Sequence, residues 1–91
     1  MSEIVVIDNP ERSRWEARDG DEVVGFADYT VDGDTITIPH TEVHREGEGI
    51  GGRIVRAAVD AARADGKRVN PECPFVRAWI EKHPEYADLV D

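Results

Sequence analysis

An α+β domain with helices packed on a mostly antiparallel sheet, in the order ββββ-α-β-α, is the fold the sequence predicts. Three observations point to it. Apolar and polar residues alternate between Asp-Gly turn signals in the first half, the hydrophobic period changes from two to about 3.6 after Gly47, and 91 residues suffice for one small core. The whole chain, 1–91, is expected to form a single domain without repeats or linkers.

The strands come first. Ile4 to Ile7 is a β-branched run closed by Asp8-Asn9-Pro10, and from Arg14 to Arg18 the apolar Trp15 and Ala17 alternate with charged neighbours. Asp19-Gly20 supplies a hairpin turn before Glu22 to Val31, and Asp32-Gly33-Asp34 supplies another before Thr35 to Val43, giving a four-strand antiparallel meander. Within the fourth strand Ile36, Ile38, His40 and Glu42 share one face, and Thr35, Thr37, Thr41 and Val43 share the other; the isoleucine face is expected to turn inward.

After Gly47 the residues Ile50, Ile54, Ala57, Ala58 and Ala61 form one apolar stripe of a helix, which Gly66 ends. Lys67 to Asn70 leaves room for one short strand. Pro74 to Lys82 then carries Phe75, Val76, Trp79 and Ile80 at helical spacing until His83-Pro84 breaks the helix, and Leu89-Val90 is expected to tuck onto the body.

Charge narrows the partners. Acidic residues outnumber basic ones 20 to 11, for a net charge of −9 and a pI near 4.7, so the mean field repels phosphate backbones and anionic lipid. Neither nucleic acid nor a membrane is an expected partner. Only Lys67 and Lys82 are lysines, and such an acid-rich surface stays soluble where salt screens charge. Cys73 is the single cysteine and forms no intramolecular disulfide; with no positively charged leader and no long apolar run, a cytoplasmic location is expected. Three histidines and this cysteine stand at no ligand spacing, so no metal site is expected.

Gly47-Glu48-Gly49-Ile50-Gly51-Gly52 is the most informative segment. Clustered glycines at a helix start bring successive N–H groups close to an anion at the positive end of the helix, which suits a pyrophosphate; the plain alternative is a flexible connection. Each interior glycine costs the helix roughly 1 kcal/mol relative to alanine, which argues for a use. A nucleoside-triphosphate loop is excluded because Arg53-Ile54, not Lys-Ser or Lys-Thr, follows Gly52. Gly47, Gly49 and Gly52 fit a dinucleotide fingerprint, but the 21 residues beyond Asn70 are too few for a doubly wound sheet.

Cys73 precedes Pro74, which suits the first helical position, so Cys73 is expected at a helix N-cap where amides and dipole favour a thiolate; the alternative is a small buried residue. His40 and Glu42 lie beside the glycine loop and could serve as base and orienting carboxylate for an amine, or as an edge histidine and a solvated charge. His44 and His83 are read as structural, His83 capping carbonyls at a helix end. Trp15, Phe26, Tyr29, Trp79 and Tyr86 are read as core or edge aromatics without interleaved basic residues.

His40-Thr41-Glu42-Val43, the glycine loop with its helix to Gly66, Pro71-Glu72-Cys73-Pro74-Phe75-Val76 and His83-Pro84-Glu85-Tyr86 together resemble the small single-domain branch of the GCN5-related N-acetyltransferases. The resemblance spans nearly the whole chain. It implies a GNAT-like fold and an acetyl-coenzyme A-dependent N-acetyltransferase, acting on a small-molecule or protein amine, as a monomer or weak homodimer. It also implies that main-chain amides from Gly47 through Glu48, Gly49, Ile50, Gly51 and Gly52 to Arg53 hold the pyrophosphate, that the Val43 backbone bonds the pantetheine arm, and that Asn70 faces the cofactor. The family pattern places Arg or Gln where this chain has Glu46, so either cofactor affinity is low or Arg45 takes that contact. In this reading Cys73 relays acetyl or sits near the thioester sulfur. The competing functions are a noncatalytic acyl-coenzyme A binder and an interaction protein whose glycines only shape a turn.

Overall fold

Two tight turns set the frame of the sheet. In the computed structural model, which describes residues 3–45 and 47–90, β2 (Arg14–Asp19) joins β3 (Glu22–Asp32) through Gly20-Asp21, and β3 joins β4 (Thr35–Val43) through Gly33-Asp34. Gly20 (φ 62°) and Gly33 (φ 61°) take the first turn position while the aspartates after them keep negative φ, the pattern of a type II′ hairpin. β1 (Ile4–Asn9) adds antiparallel to β2, and β5 (Arg68–Asn70) adds parallel to the other side of β4, in the order β1-β2-β3-β4-β5.

Between β4 and β5 runs α1 (Ile50–Ala64), which lies across the sheet. Its buried residues are Ile50, Gly51, Ile54, Val55, Ala58, Val59 and Ala62, a broader band than the expected stripe, because α1 also packs against α2 (Pro74–Glu81) and the 3-10 helix Pro84–Leu89. Gly66 (φ 68°) ends α1 as expected: its amide donates to the Arg63 carbonyl (3.1 Å) and the Lys67 amide to that of Ala62 (2.9 Å), a Schellman motif. The expected α+β class and element order hold. The 3-10 turn is an addition, and its end is pinned by a parallel bridge between Val90 and Val69.

The His83-Pro84-Glu85-Tyr86 segment is a clasp. His83 Nδ1 donates to the Trp79 carbonyl (2.7 Å) and its ring stacks on Trp79 at 3.8 Å, so it caps α2 as expected. Tyr86 donates to Asp60 on α1 (2.5 Å) and accepts from Arg56 (3.3 Å). Trp79 and Tyr86 are core aromatics as expected, with Trp15 and Tyr29 packed against that core, and basic side chains cover some of the rings: Arg56 lies over Trp79 and Tyr86, and Arg14 over Phe26 at 4.5 Å.

One irregularity decides which side chains face where. Asp28 opposes His40 and Thr30 opposes Thr37, so Ile38 and Pro39 together face Tyr29 as a bulge. Pro39 has no N–H for the ladder, which suits such a site. Ile36 and Ile38 point toward α1 before the bulge; after it Thr41 and Val43 take that side, and His40 and Glu42 fall with Phe26 on the opposite face, open to solvent. The expectation that His40 and Glu42 share the isoleucine face is thereby corrected.

Candidate active site

The glycines divide by cause. Gly47 (φ 84°) and Gly49 (φ 66°) hold left-handed backbone, and a Cβ at either would meet nothing within 4 Å. Gly51 and Gly52 are different. A Cβ on Gly51 would lie 2.7 Å from Phe75 Cζ, and one on Gly52 would lie 3.2 Å from Trp79 Nε1, so these two let α2 press on the start of α1. The helix-propensity cost that argued for a ligand is thus explained in part by packing.

The helix start still offers donors. Amides of the first turn have no intrahelical acceptor, and among the described residues those of Ile50, Gly51 and Gly52 make no other backbone bond. Arg53 is a correction: its amide already donates to the Gly49 carbonyl (3.1 Å) and its guanidinium to the Ile4 carbonyl (2.8 Å), so it belongs to the fold. Val43, Arg45, Gly47, Gly49, Ile50, Gly51, Gly52 and Phe75 line an open groove of about 280 Å³. Arg45 stands in it but is ion-paired to Asp19 (2.8 Å), Glu22 (3.7 Å) and Glu48 (3.5 Å). Glu46, where the family pattern has Arg or Gln, lies outside the described residues.

Along the groove runs the edge of β4. β5 pairs with it only from Thr35 to Thr37, and then the Cys73 amide donates to the Ile38 carbonyl (2.9 Å). The His44 amide turns toward β3, bonding Val24 (2.8 Å), so by alternation the backbone groups of Thr41 and Val43 point out past the end of β5. The free edge at Val43 is the geometry expected for a strand-like ligand arm. Asn70 is not brought there: it lines a separate groove of about 470 Å³ with Thr35, Val69, Pro71, Arg77 and Val90.

Cys73 is the N-cap of α2 with Pro74 at the first helical position, as expected, and it is buried. Burial alone pushes its thiol up; the Val76 amide, the Thr41 hydroxyl and the amides of Phe75 and Thr41 outweigh that and hold it below the usual thiol value. No side-chain cap bond forms, and among the described residues Thr41 Oγ1 is buried without a hydrogen-bond partner.

On the open face Glu42 lies between two imidazoles. His44 Nε2 donates to Glu42 Oε2 (2.6 Å) and His40 Nε2 to Oε1 (3.4 Å), with both rings about 6 Å from Phe26. His44 Nδ1 meets the Val23 carbonyl at 3.3 Å, so both its nitrogens face acceptors, an arrangement that favours the protonated ring. The bond to Glu42, then that to Val23, raises its pKa; the bonds from His44 and then His40 lower that of Glu42. The sequence reads His44 only as structural; its position two residues past Glu42 is the signal for its place in this cluster. Next to the cluster Glu16, only 1% exposed, accepts from Arg14 (2.7 Å), Arg18 (2.6 Å) and Asn9 (3.3 Å), and although burial pushes its carboxyl up these donors bring it below the ordinary range. The three expected catalytic residues therefore do not form one cluster: Cys73 sits at the edge of β4 against α2, and His40 with Glu42 sits on the open face.

In this α+β domain the fourth and fifth strands part beside a glycine-led helix. A model of the GCN5-related N-acetyl-transferase family matches residues 14–89, and the chain belongs to that family. A GCN5-like protein from Staphylococcus aureus, solved by NMR in solution, superposes with a TM-score of 0.77 at 25% identity, covering 100% of this chain and 91% of that one. No curated protein matches the sequence. No helix among the described residues is long and apolar enough to cross a membrane.

Proposed function

We propose that the protein transfers the acetyl group of acetyl-coenzyme A to an amine. The observation that carries this is the line of Ile50, Gly51 and Gly52 amides, without a backbone acceptor among the described residues, on the groove beside the β4 edge, in a chain of this family. The residues fit a diphosphate: space is open above Gly47 and Gly49, and the helix start favours negative charge. Glu48 flanks it, and Arg45 offsets that charge once it exchanges a carboxylate for phosphate.

When bound, acetyl-coenzyme A supplies a thioester activated for attack. The Val43 amide orients the arm at the edge of β4. His44 holds Glu42, Glu42 accepts from His40 Nε2, and the Nδ1 lone pair of His40 takes the proton of an amine arriving across the open face. Cys73 faces the same edge from the α2 side. Either it accepts acetyl, its thiolate forming the new C–S bond as coenzyme A leaves as thiolate and the amine then displacing Cys73, or it contacts the donor sulfur during direct transfer.

Calorimetric titration with acetyl-coenzyme A, followed by mass spectrometry with an amine panel, tests this. Saturable heat and acetylated amine are expected, with His40→Ala lowering turnover about 100-fold. Absence of heat overturns the reading, and so does binding without transfer to any amine.

A further inference from the structure

Thr41 was no candidate in the sequence, because plain alternation set it opposite the isoleucines. The Ile38-Pro39 bulge reverses that and puts Thr41 on the α1 side of β4, where its hydroxyl and amide act on Cys73 at the N-cap of α2. There the Cys73 amide is fixed on the Ile38 carbonyl at 2.9 Å, so the sulfur is placed beside β4 by a backbone bond and not by a mobile loop. Thr41 Oγ1 is buried with no partner among the described residues. A buried hydroxyl without a partner is costly, which a chain tolerates where the group is used.

We propose that Thr41 is the positioning residue for Cys73, its hydroxyl donating to the sulfur when the thiol ionises. As a thiol the sulfur is a poor acceptor and the hydroxyl stays unsatisfied; as a thiolate it is a strong one, and the bond closes with a small side-chain rotation. The hydroxyl thereby favours the charged form over the neutral one. The same four groups already hold this thiol low, with Thr41 second only to the Val76 amide among those acting in that direction. Charged groups nearby are Glu72, next in the chain, Arg77 one turn along α2, and His40 and Glu42 on the far face of β4. The inference deepens the acetyl-transfer reading, but its test uses no acetyl donor, so the two fail separately.

The chain holds one cysteine, so thiolate absorbance near 240 nm reports Cys73 alone. Tyrosine interferes little, since Tyr29 is pushed up to about 12 and Tyr86 is also raised. Titration of the full chain is expected to show a midpoint that rises by about one pH unit in Thr41→Val and returns in Thr41→Ser. Thr41→Val keeps the side-chain shape and removes an unpartnered hydroxyl, so its melting temperature should equal or exceed the parent's. A Thr41→Val midpoint equal to the parent's, or a Thr41→Ser midpoint that stays with the valine variant, overturns the proposal. So does an unmoved titration with a lowered melting temperature, which would make the hydroxyl a tie within the fold.

Discussion

Two oxygens face the two nitrogens of His44 and favour its charged form, and this has a measurable sign. Its raised pKa means that its pairing contributes fully below the ordinary value of 6.5 and is lost as pH rises through the raised one. Glu42 runs the other way: its lowered pKa makes the pairing present above the ordinary carboxylate value and lost as pH falls through the lowered one. The cluster is tightest between those limits, and solvent screening keeps its effect on stability small. In an NMR titration the His44 ring is expected to have a midpoint above 6.5 that falls toward it in Glu42→Gln; an unchanged midpoint would show that the carboxylate is not the cause. The types at this site were legible in the sequence, as were the N-cap position of Cys73 and the His83 cap. Their arrangement was not. Alternation counts residues, and the extra residue at Pro39 sends His40 to one side of β4 and Thr41 to the other.

Elements whose ends carry their own chemistry were the easiest to place. Gly20 and Gly33 mark turns that need positive φ, and Gly66 closes α1 through bonds that any left-handed residue there would make. Glycines required by packing carry no such local sign. Gly25 is the clearest: a Cβ there would lie 2.9 Å from Ile50 Cγ2, 3.1 Å from the Glu42 carbonyl oxygen and 3.2 Å from Ile54 Cδ1. Backbone on one side and two core isoleucines on the other leave no room to yield. Gly25→Ala is expected to cost about 2 kcal/mol and to lower the melting temperature by on the order of 10 °C in a calorimetric scan. In Gly51→Ala the nearest atoms belong to the half-exposed ring of Phe75, which can swing aside, and the helix gains propensity, so a far smaller change is expected. Equal losses at both positions would contradict this account of how α1 seats on the sheet.

For the whole molecule the excess of acid dominates. Arg14 and Arg18 are tied to Glu16, Arg45 to Asp19, and Arg63 to Asp88, so most neighbouring charges left over are like-signed. Raising potassium chloride from 0.1 to 1 M shortens the screening length from about 10 to about 3 Å and should relieve more repulsion than the attraction it weakens. A melting temperature that climbs with salt is expected; a fall would mean that the ion pairs outweigh the net charge of −9. Trp79 is seated with its ring nitrogen against Gly52, whose backbone lines the groove. An indole in that seat is a built-in lamp: whatever settles over the first turn of α1 alters the polarity around it, so arrival of a guest is announced in ultraviolet emission without any dye.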